Sequence, residues 1–245
     1  AAEEARNRAA EKLNMDAQQM VWFRTLHSLA FNCLGLSGQK VLKGADYTKI
    51  AKYLGLEFSA NSSVKMSDGI LFTPGRGGDA YLSMIQIARV TGRTLEDQFS
   101  ATADRRLHYQ QLKLVDQVVN DYKKETNKLD FVDMIEQFVA EGQGPTLDVL
   151  IVDEAQDLVP MQWRMVHEVL KTKAKRIYYA GDDDQCIYSW MGVDVRDFLR
   201  SSENKIVLDK SYRLPTAVYN LADSLVKQID IRQKKVWSPT DKTGT

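Results

Sequence analysis

Leu147-Asp148-Val149-Leu150-Ile151-Val152-Asp153-Glu154-Ala155-Gln156-Asp157 is the stretch on which the reading of this chain turns. Its first six residues form a nearly continuous apolar run closed by carboxylates, which predicts a central strand of a parallel sheet. In an open parallel sheet the carboxyl ends of the strands face the ligand crevice. Two adjacent carboxylates at such an end suit Mg²⁺-nucleotide hydrolysis: one holds a hydrated metal, the other orients and deprotonates a water. The plainer alternative is a helix N-terminus decorated with acids that favour its dipole.

The flanking sequence repeats the pattern. Pro160 opens an amphipathic helix, MQWRMVHEVLK. RIYYAGD (176–182) predicts the next strand and KIVLD (205–209) a third, so strands and helices alternate as in a parallel sheet with crossover helices. The second strand also ends in acids, in Gly181-Asp182-Asp183-Asp184-Gln185, and runs on through Cys186-Ile187-Tyr188-Ser189-Trp190-Met191-Gly192. Two successive strands thus deliver carboxylates to one sheet edge. Gln185 stands where it can reach a terminal phosphate. Tyr188 and Trp190, two residues apart with no apolar period to bury both, suit base stacking on single-stranded nucleic acid, with core packing as the alternative. In Leu208-Asp209-Lys210-Ser211-Tyr212-Arg213-Leu214-Pro215, Arg213 lies just beyond a strand and before a Pro and a helix, a position from which an arginine reads phosphate.

Upstream, residues 1–19 are dense in helix formers, MVWF (20–23) suits a short buried strand, and Thr25 is placed to cap a helix through His27, Leu29, Ala30 and Phe31. Residues 33–128 read as a mostly helical insertion, with helical periodicity in 81–90 and 105–125 and a turn cluster, TPGRGGDA, at 73–80. LDFVDMIEQFVA (129–140) is helical in pattern. His108 and His167 read as boundary or packing residues, Trp22, Trp163 and Trp237 have no motif around them, and Lys234 and Lys235 read as a solvated face.

The chain has 245 residues, 44% hydrophobic and 27% charged, which excludes a disordered or fibrous chain and allows one or two domains. Its longest uncharged stretch, Thr25 to Gln39, has 15 residues and is too short and too polar to span a bilayer. The chain opens on Ala1 without a signal-peptide pattern and is expected to be an internal, cytoplasmic piece of something longer. Net charge is zero, but residues 129–208 carry 8 basic and 15 acidic groups, whereas 33–128 carry 14 and 10 and 209–245 carry 7 and 4. An acidic segment between mildly basic ones fits a cation-binding centre beside phosphate-binding surfaces only weakly, and charge alone favours solvated charged faces. Cys33 and Cys186 are too few for a disulfide framework and are expected to be buried free thiols.

Together these segments resemble the UvrD/Rep family of superfamily 1 DNA helicases. VDEAQD looks like that family's second motif (Walker B), GDDDQCIYSWMG like the third and LDKSYR like the fourth, in matching order and spacing. TLHSLAF (25–31) resembles the family's segment near single-stranded DNA, and AAEEARNRA the tail of the motif after its phosphate loop. The resemblance is sharp over roughly 1–31 and 129–225, while 33–128 matches by position. It implies that Asp153 binds Mg²⁺, Glu154 activates the attacking water, Gln185 senses the γ-phosphate, and Arg213 stabilises charge on that phosphate. It also implies that Tyr188 and Trp190 stack on bases, that Thr25 and His27 lie along the DNA, and that the motor moves 3′ to 5′. Met191 replaces the family's usual Arg and Cys186 its usual Ser.

Parts of the family pattern are missing: no Gly in the chain is followed by Lys, so GxxxxGK[ST] is absent, and the family's last two motifs are absent too, as expected if the chain stops early in the second motor domain. PGRGGD (74–79) lacks the Lys and the Ser/Thr, opens no clear helix in the sequence pattern, and reads as a turn.

The resulting expectation is an α/β protein with a RecA-like (P-loop NTPase type) parallel sheet over 1–32 and 129–208. A mostly helical insertion (33–128) interrupts it, and a second RecA-like domain begins at 209–245. The expected activity is that of an ATP- and Mg²⁺-dependent helicase acting on single-stranded DNA and single-strand/duplex junctions, with the 245 residues inactive alone. The partners expected from the same parent chain are an N-terminal phosphate-loop segment and a C-terminal motor domain, with no membrane involved. The alternatives are an inert helicase-derived nucleic-acid-binding or regulatory module, and the motor part of a helicase–nuclease.

Overall fold

A computed structural model describes residues 2–58, 77–102 and 106–244. The chain divides into two units, residues 1–147 with 160–173, and residues 148–159 with 174–245.

The first unit is helical. Helix α1 (Ala2–Leu13) ends where Asn14 turns left-handed, at φ 51°, so the helical composition of 1–19 gives one helix and a separate short turn at 17–19. MVWF forms a turn rather than a strand: Val21, Trp22 and Phe23 have no strand partner and are exposed. Thr25 does cap α2 (Leu26–Cys33), its Oγ1 accepting from the Ser28 amide at 3.2 Å. Helices α3 (Gly44–Leu54), α4 (Gly78–Thr91), α5 (Leu95–Ser100) and α6 (Tyr109–Thr126) follow. On α6, Leu112, Val115, Val119 and Tyr122 recur at helical spacing and pack with Tyr47, Ile50, Tyr81, Met84 and Ile85 into one apolar cluster. Residues 73–76 of the turn cluster lie outside the described residues. Gly77 adopts φ 70° and α4 starts at Gly78, so PGRGGD does lead into a helix.

Helix α7 (Phe131–Glu141) is fixed by a capping box between Asp130 and Asp133. Arg89 of α4 and Lys123 of α6 converge on the same two carboxylates. Arg89 bonds Asp130 at 2.8 Å, Asp133 at 2.6 Å and Glu136 at 2.6 Å, and Lys123 bonds both aspartates at 2.9 Å. Helix α8 (Pro160–Arg164) widens into a π-helical stretch at Met165–Leu170, and buried Trp163 stacks on His167 at 5.3 Å.

The second unit holds the sheet. Strands β1 (Leu147–Val152) and β2 (Ala174–Tyr179) pair in parallel, and they are the only two sheet strands among the described residues. Val149 and Ile151 are 42% and 67% exposed, so LDVLIV is not covered on both faces as its composition predicts; within the described residues it has one neighbouring strand. KIVLD does not form a strand. Residues 203–209 are exposed and irregular, and pairing is confined to a single parallel bridge between Lys210 and Ser238. Helices α9 (Val195–Arg200) and α10 (Thr216–Val226) complete this unit.

Candidate active site

The site grows from the ends of β1 and β2. The Ala180 amide donates to the Val152 carbonyl at 2.8 Å, and the Ala180 carbonyl accepts from the Ala155 amide at 2.9 Å. A regular parallel ladder would step from residue 152 to 154, so one residue is extra. Glu154 absorbs it by turning left-handed, at φ 50° and ψ 39°. A non-glycine residue there costs on the order of 1 kcal/mol or more. In return Asp153 and Glu154 both leave the strand exposed. Asp153 Oδ1 accepts from the Glu154 amide at 3.1 Å.

Gln156, 2% exposed, links the two strand ends. Its Nε2 donates to Glu154 Oε2 at 2.9 Å, its Oε1 accepts from the Asp182 amide at 3.0 Å, and its backbone carbonyl accepts from Cys186 Sγ at 3.5 Å. Gly181 makes room for this: a Cβ there would collide with Gln156 Oε1 and press on Phe198. Gln185 caps back onto its own loop, Nε2 donating to Asp182 Oδ2 at 2.6 Å. Tyr188 immediately precedes a short helical turn at 189–191 that carries Trp190; the two are 37% and 57% exposed.

Lys235, read from sequence as solvated, is instead enclosed. Its Nζ bonds Asp182 as well as Asp183 at 2.6 Å and Asp184 at 3.1 Å. Arg232 grips Asp184 through two hydrogen bonds of 2.7 Å. Burial would raise the Asp182 carboxyl, but hydrogen bonds from Lys235 and Gln185 and the Lys235 charge outweigh it and hold its pKa below the ordinary carboxylate range. Lys235 shows the converse: burial opposes its charge, and the three aspartates still raise its pKa. Gln156 was within the motif quoted from the sequence, whereas Lys235 and Arg232 are some fifty residues away from their partners, a distance no local pattern bridges.

The remaining residues fall elsewhere. Arg213 is exposed, on the segment 209–215 of the same unit, its amide donating to Ser211 Oγ at 3.3 Å. Thr25 and His27 belong to the first unit. His27 is buried edge-on against Phe131, ring centroids 5.8 Å apart. Burial pushes its pKa down to about 4, and Nδ1 has no hydrogen-bond partner. Cys33 and Cys186 are free and only partly buried. Among the described residues no group of three His, Cys, Asp or Glu side chains gathers to hold a metal. Asp153 and Glu154 alone fit a Mg²⁺ bound in the loose mode, through one or two carboxylates, waters and substrate phosphates. No helix among the described residues is long and apolar enough to cross a membrane.

Comparison with known proteins gives a family. The UvrD/REP helicase N-terminal domain matches residues 1–205. The ATP-dependent DNA helicase PcrA of Staphylococcus aureus is 23% identical over 256 residues, covering 97% of this chain and 34% of the relative. PcrA of Leuconostoc citreum is 25% identical, covering 99% and 34%, and Rep of Buchnera aphidicola is 28% identical over 140 residues, covering 51% and 21%. The chain therefore spans about a third of the length of the PcrA relatives it matches.

Proposed function

The chain belongs to the UvrD/REP helicase N-terminal domain family, and from that premise we propose that it is part of an ATP-dependent DNA motor that moves 3′ to 5′ along a single strand and opens duplex at junctions. The observation that best supports this reading is the Gln156 bridge, which ties Glu154 to the Asp182–Gln185 loop. A water activated at Glu154 and a phosphate sensed by Gln185 then share one rigid unit. Asp153 would hold Mg²⁺, which would neutralise charge on the phosphates of bound ATP. Glu154 orients and deprotonates the water, and Arg213 meets the charge on the γ-phosphate. The β1–β2 pair is the centre of a RecA-like sheet, residues 33–128 are its helical insertion, and 209–245 begin a second motor domain. The phosphate loop, absent from the 245 residues, comes from elsewhere in the whole protein. A cytoplasmic location goes with this activity.

Tyr188 and Trp190 are the base platform, beside Gln185 on one short segment. Thr25 lies along the DNA, with buried His27 fixing the helix that Thr25 caps.

Trp190→Ala in the whole protein tests the DNA half of this reading. Stacking contributes about 1–3 kcal/mol per base, so single-strand affinity should fall roughly tenfold or more. Melting temperature and DNA-free ATP hydrolysis should hold. A large melting loss without a specific DNA defect would make Trp190 a packing residue and remove the platform.

A further inference from the structure

Residues 232–243 run from the acidic loop to the segment that carries Arg213. At one end Arg232, the Gln233 amide and Lys235 hold all three aspartates of the 182–184 loop, the Gln233 amide bonding Asp183 Oδ2 at 2.6 Å. Three residues further on, the Ser238 amide donates to the Asp209 carbonyl and the Ser238 carbonyl accepts from the Ser211 amide, both at 2.8 Å. Thr240 then donates to the Leu214 carbonyl at 2.9 Å, while Thr216 and Ala217 donate to the carbonyls of Lys242 and Thr243 at 2.9 and 3.0 Å. Trp237 packs edge-on against Tyr219 at 4.5 Å. Lys235 and Ser238 are at most about 10 Å apart along an extended chain. The strap is thus too short to let its two ends move independently.

The electrostatics make the clasp obligatory. The side chains of Asp183 and Asp184 are 4% and 9% exposed. Two adjacent buried carboxylates repel each other and lose hydration unless cations pair with them. Lys235, 14% exposed and in reach of all three aspartates, shares that demand with Arg232, which grips Asp184, and is the cation that pairs with Asp182 and Asp183. Asp182 in turn accepts from Gln185 through its other oxygen. Removing the Lys235 charge leaves buried Asp183 with no cation, Asp184 keeping Arg232, and takes from Asp182 its cation as well, so the loop should loosen and release Gln185.

We propose that Lys235 is a positioning residue, and that the 232–238 strap holds the Gln185 loop and the Arg213 segment in fixed register so that both groups meet the same phosphate. The phosphate contact rests on the helicase reading above; the mechanical link rests on the strap alone. The Lys235 ammonium is engaged by the three aspartates and acts through the Gln185 loop. Its loss should therefore lower turnover more than nucleotide affinity.

The test uses the whole protein as Lys235→Ala and Lys235→Arg, with Lys234→Ala as a neighbouring exposed control. Lys235→Gln, which keeps polar reach without charge, replaces the alanine variant if that one does not fold. Amide hydrogen exchange is measured without ATP or DNA, and kcat and KM for ATP with single-stranded DNA. Lys235→Ala should speed exchange about tenfold or more in both 182–186 and 209–217, leaving the helices of residues 1–147 unchanged. It should lower kcat about tenfold or more with KM within roughly threefold, since small misplacement of reacting groups is costly. Lys235→Arg should recover most of both effects, and Lys234→Ala should match wild type. Exchange that rises in 182–186 but not in 209–217, or in neither, would overturn the link. If wild type hydrolyses no ATP, the helicase reading fails while the exchange result still decides the strap.

Discussion

Glu154 and His27 each occupy a position that disfavours their residue type. Glu154 takes a left-handed backbone that glycine or asparagine would enter more easily, because the extra residue after β1 has to fall there. His27 is buried with a ring nitrogen unpaired. Its pKa of about 4 lies below the ordinary histidine value, so the unfolded chain binds the proton more readily than the folded one. That contribution to stability is therefore fully present above about pH 6.5 and is lost as pH falls towards 4. Acidification from pH 7 to pH 5 should cost on the order of 2 kcal/mol through this group. Denaturant titration at the two pH values checks it: wild type should lose more than His27→Gln, and equal losses would mean that the ring is hydrated in the folded state.

At the scale of elements, the carboxylates at the start of α7 depend on Arg89 and Lys123 from two other helices. Breaking a buried ion pair costs about 3–5 kcal/mol when the remaining charge is left unpaired; here Lys123 still bonds both aspartates, so that figure is an upper bound. Arg89→Ala should lower unfolding stability by up to that order in a chemical melt, and Arg89→Lys by less. A loss below about 1 kcal/mol would place the cluster in solvent. The same elements explain what the sequence could disclose. Helix α6 was legible because Leu112, Val115, Val119 and Tyr122 announce a buried face through local spacing alone. Thr25 was legible as a cap for the same reason. MVWF and KIVLD were not, because a strand exists only through pairing, and neither segment has a ladder partner among the described residues. The acids of the site could be read at the strand ends, but Lys235 could not, since its partners lie fifty residues away and adjacent lysines ordinarily mark a solvated face.

For the whole molecule, zero net charge conceals a division of labour: the acidic segment 129–208 contains both carboxylate-bearing strand ends, and part of its excess is neutralised by Arg232 and Lys235 from the basic segment that follows. Asp153, Glu154, Gln185 and Arg213 all lie in one unit, while the Gly-Lys phosphate loop that such a site needs is absent from these 245 residues. On the proposed reading hydrolysis is an activity of the whole protein, and its dependence on Glu154 is the central claim. The measurement is the ATP hydrolysis rate of the whole protein with saturating single-stranded DNA, wild type against Glu154→Gln, alongside equilibrium ATP binding. Loss of a general base typically lowers rate about 10²–10⁴-fold. The expected result is a fall of that size with ATP affinity held within roughly threefold; near-normal turnover by Glu154→Gln would contradict the account and return the acids after β1 to the role of turn-stabilising residues.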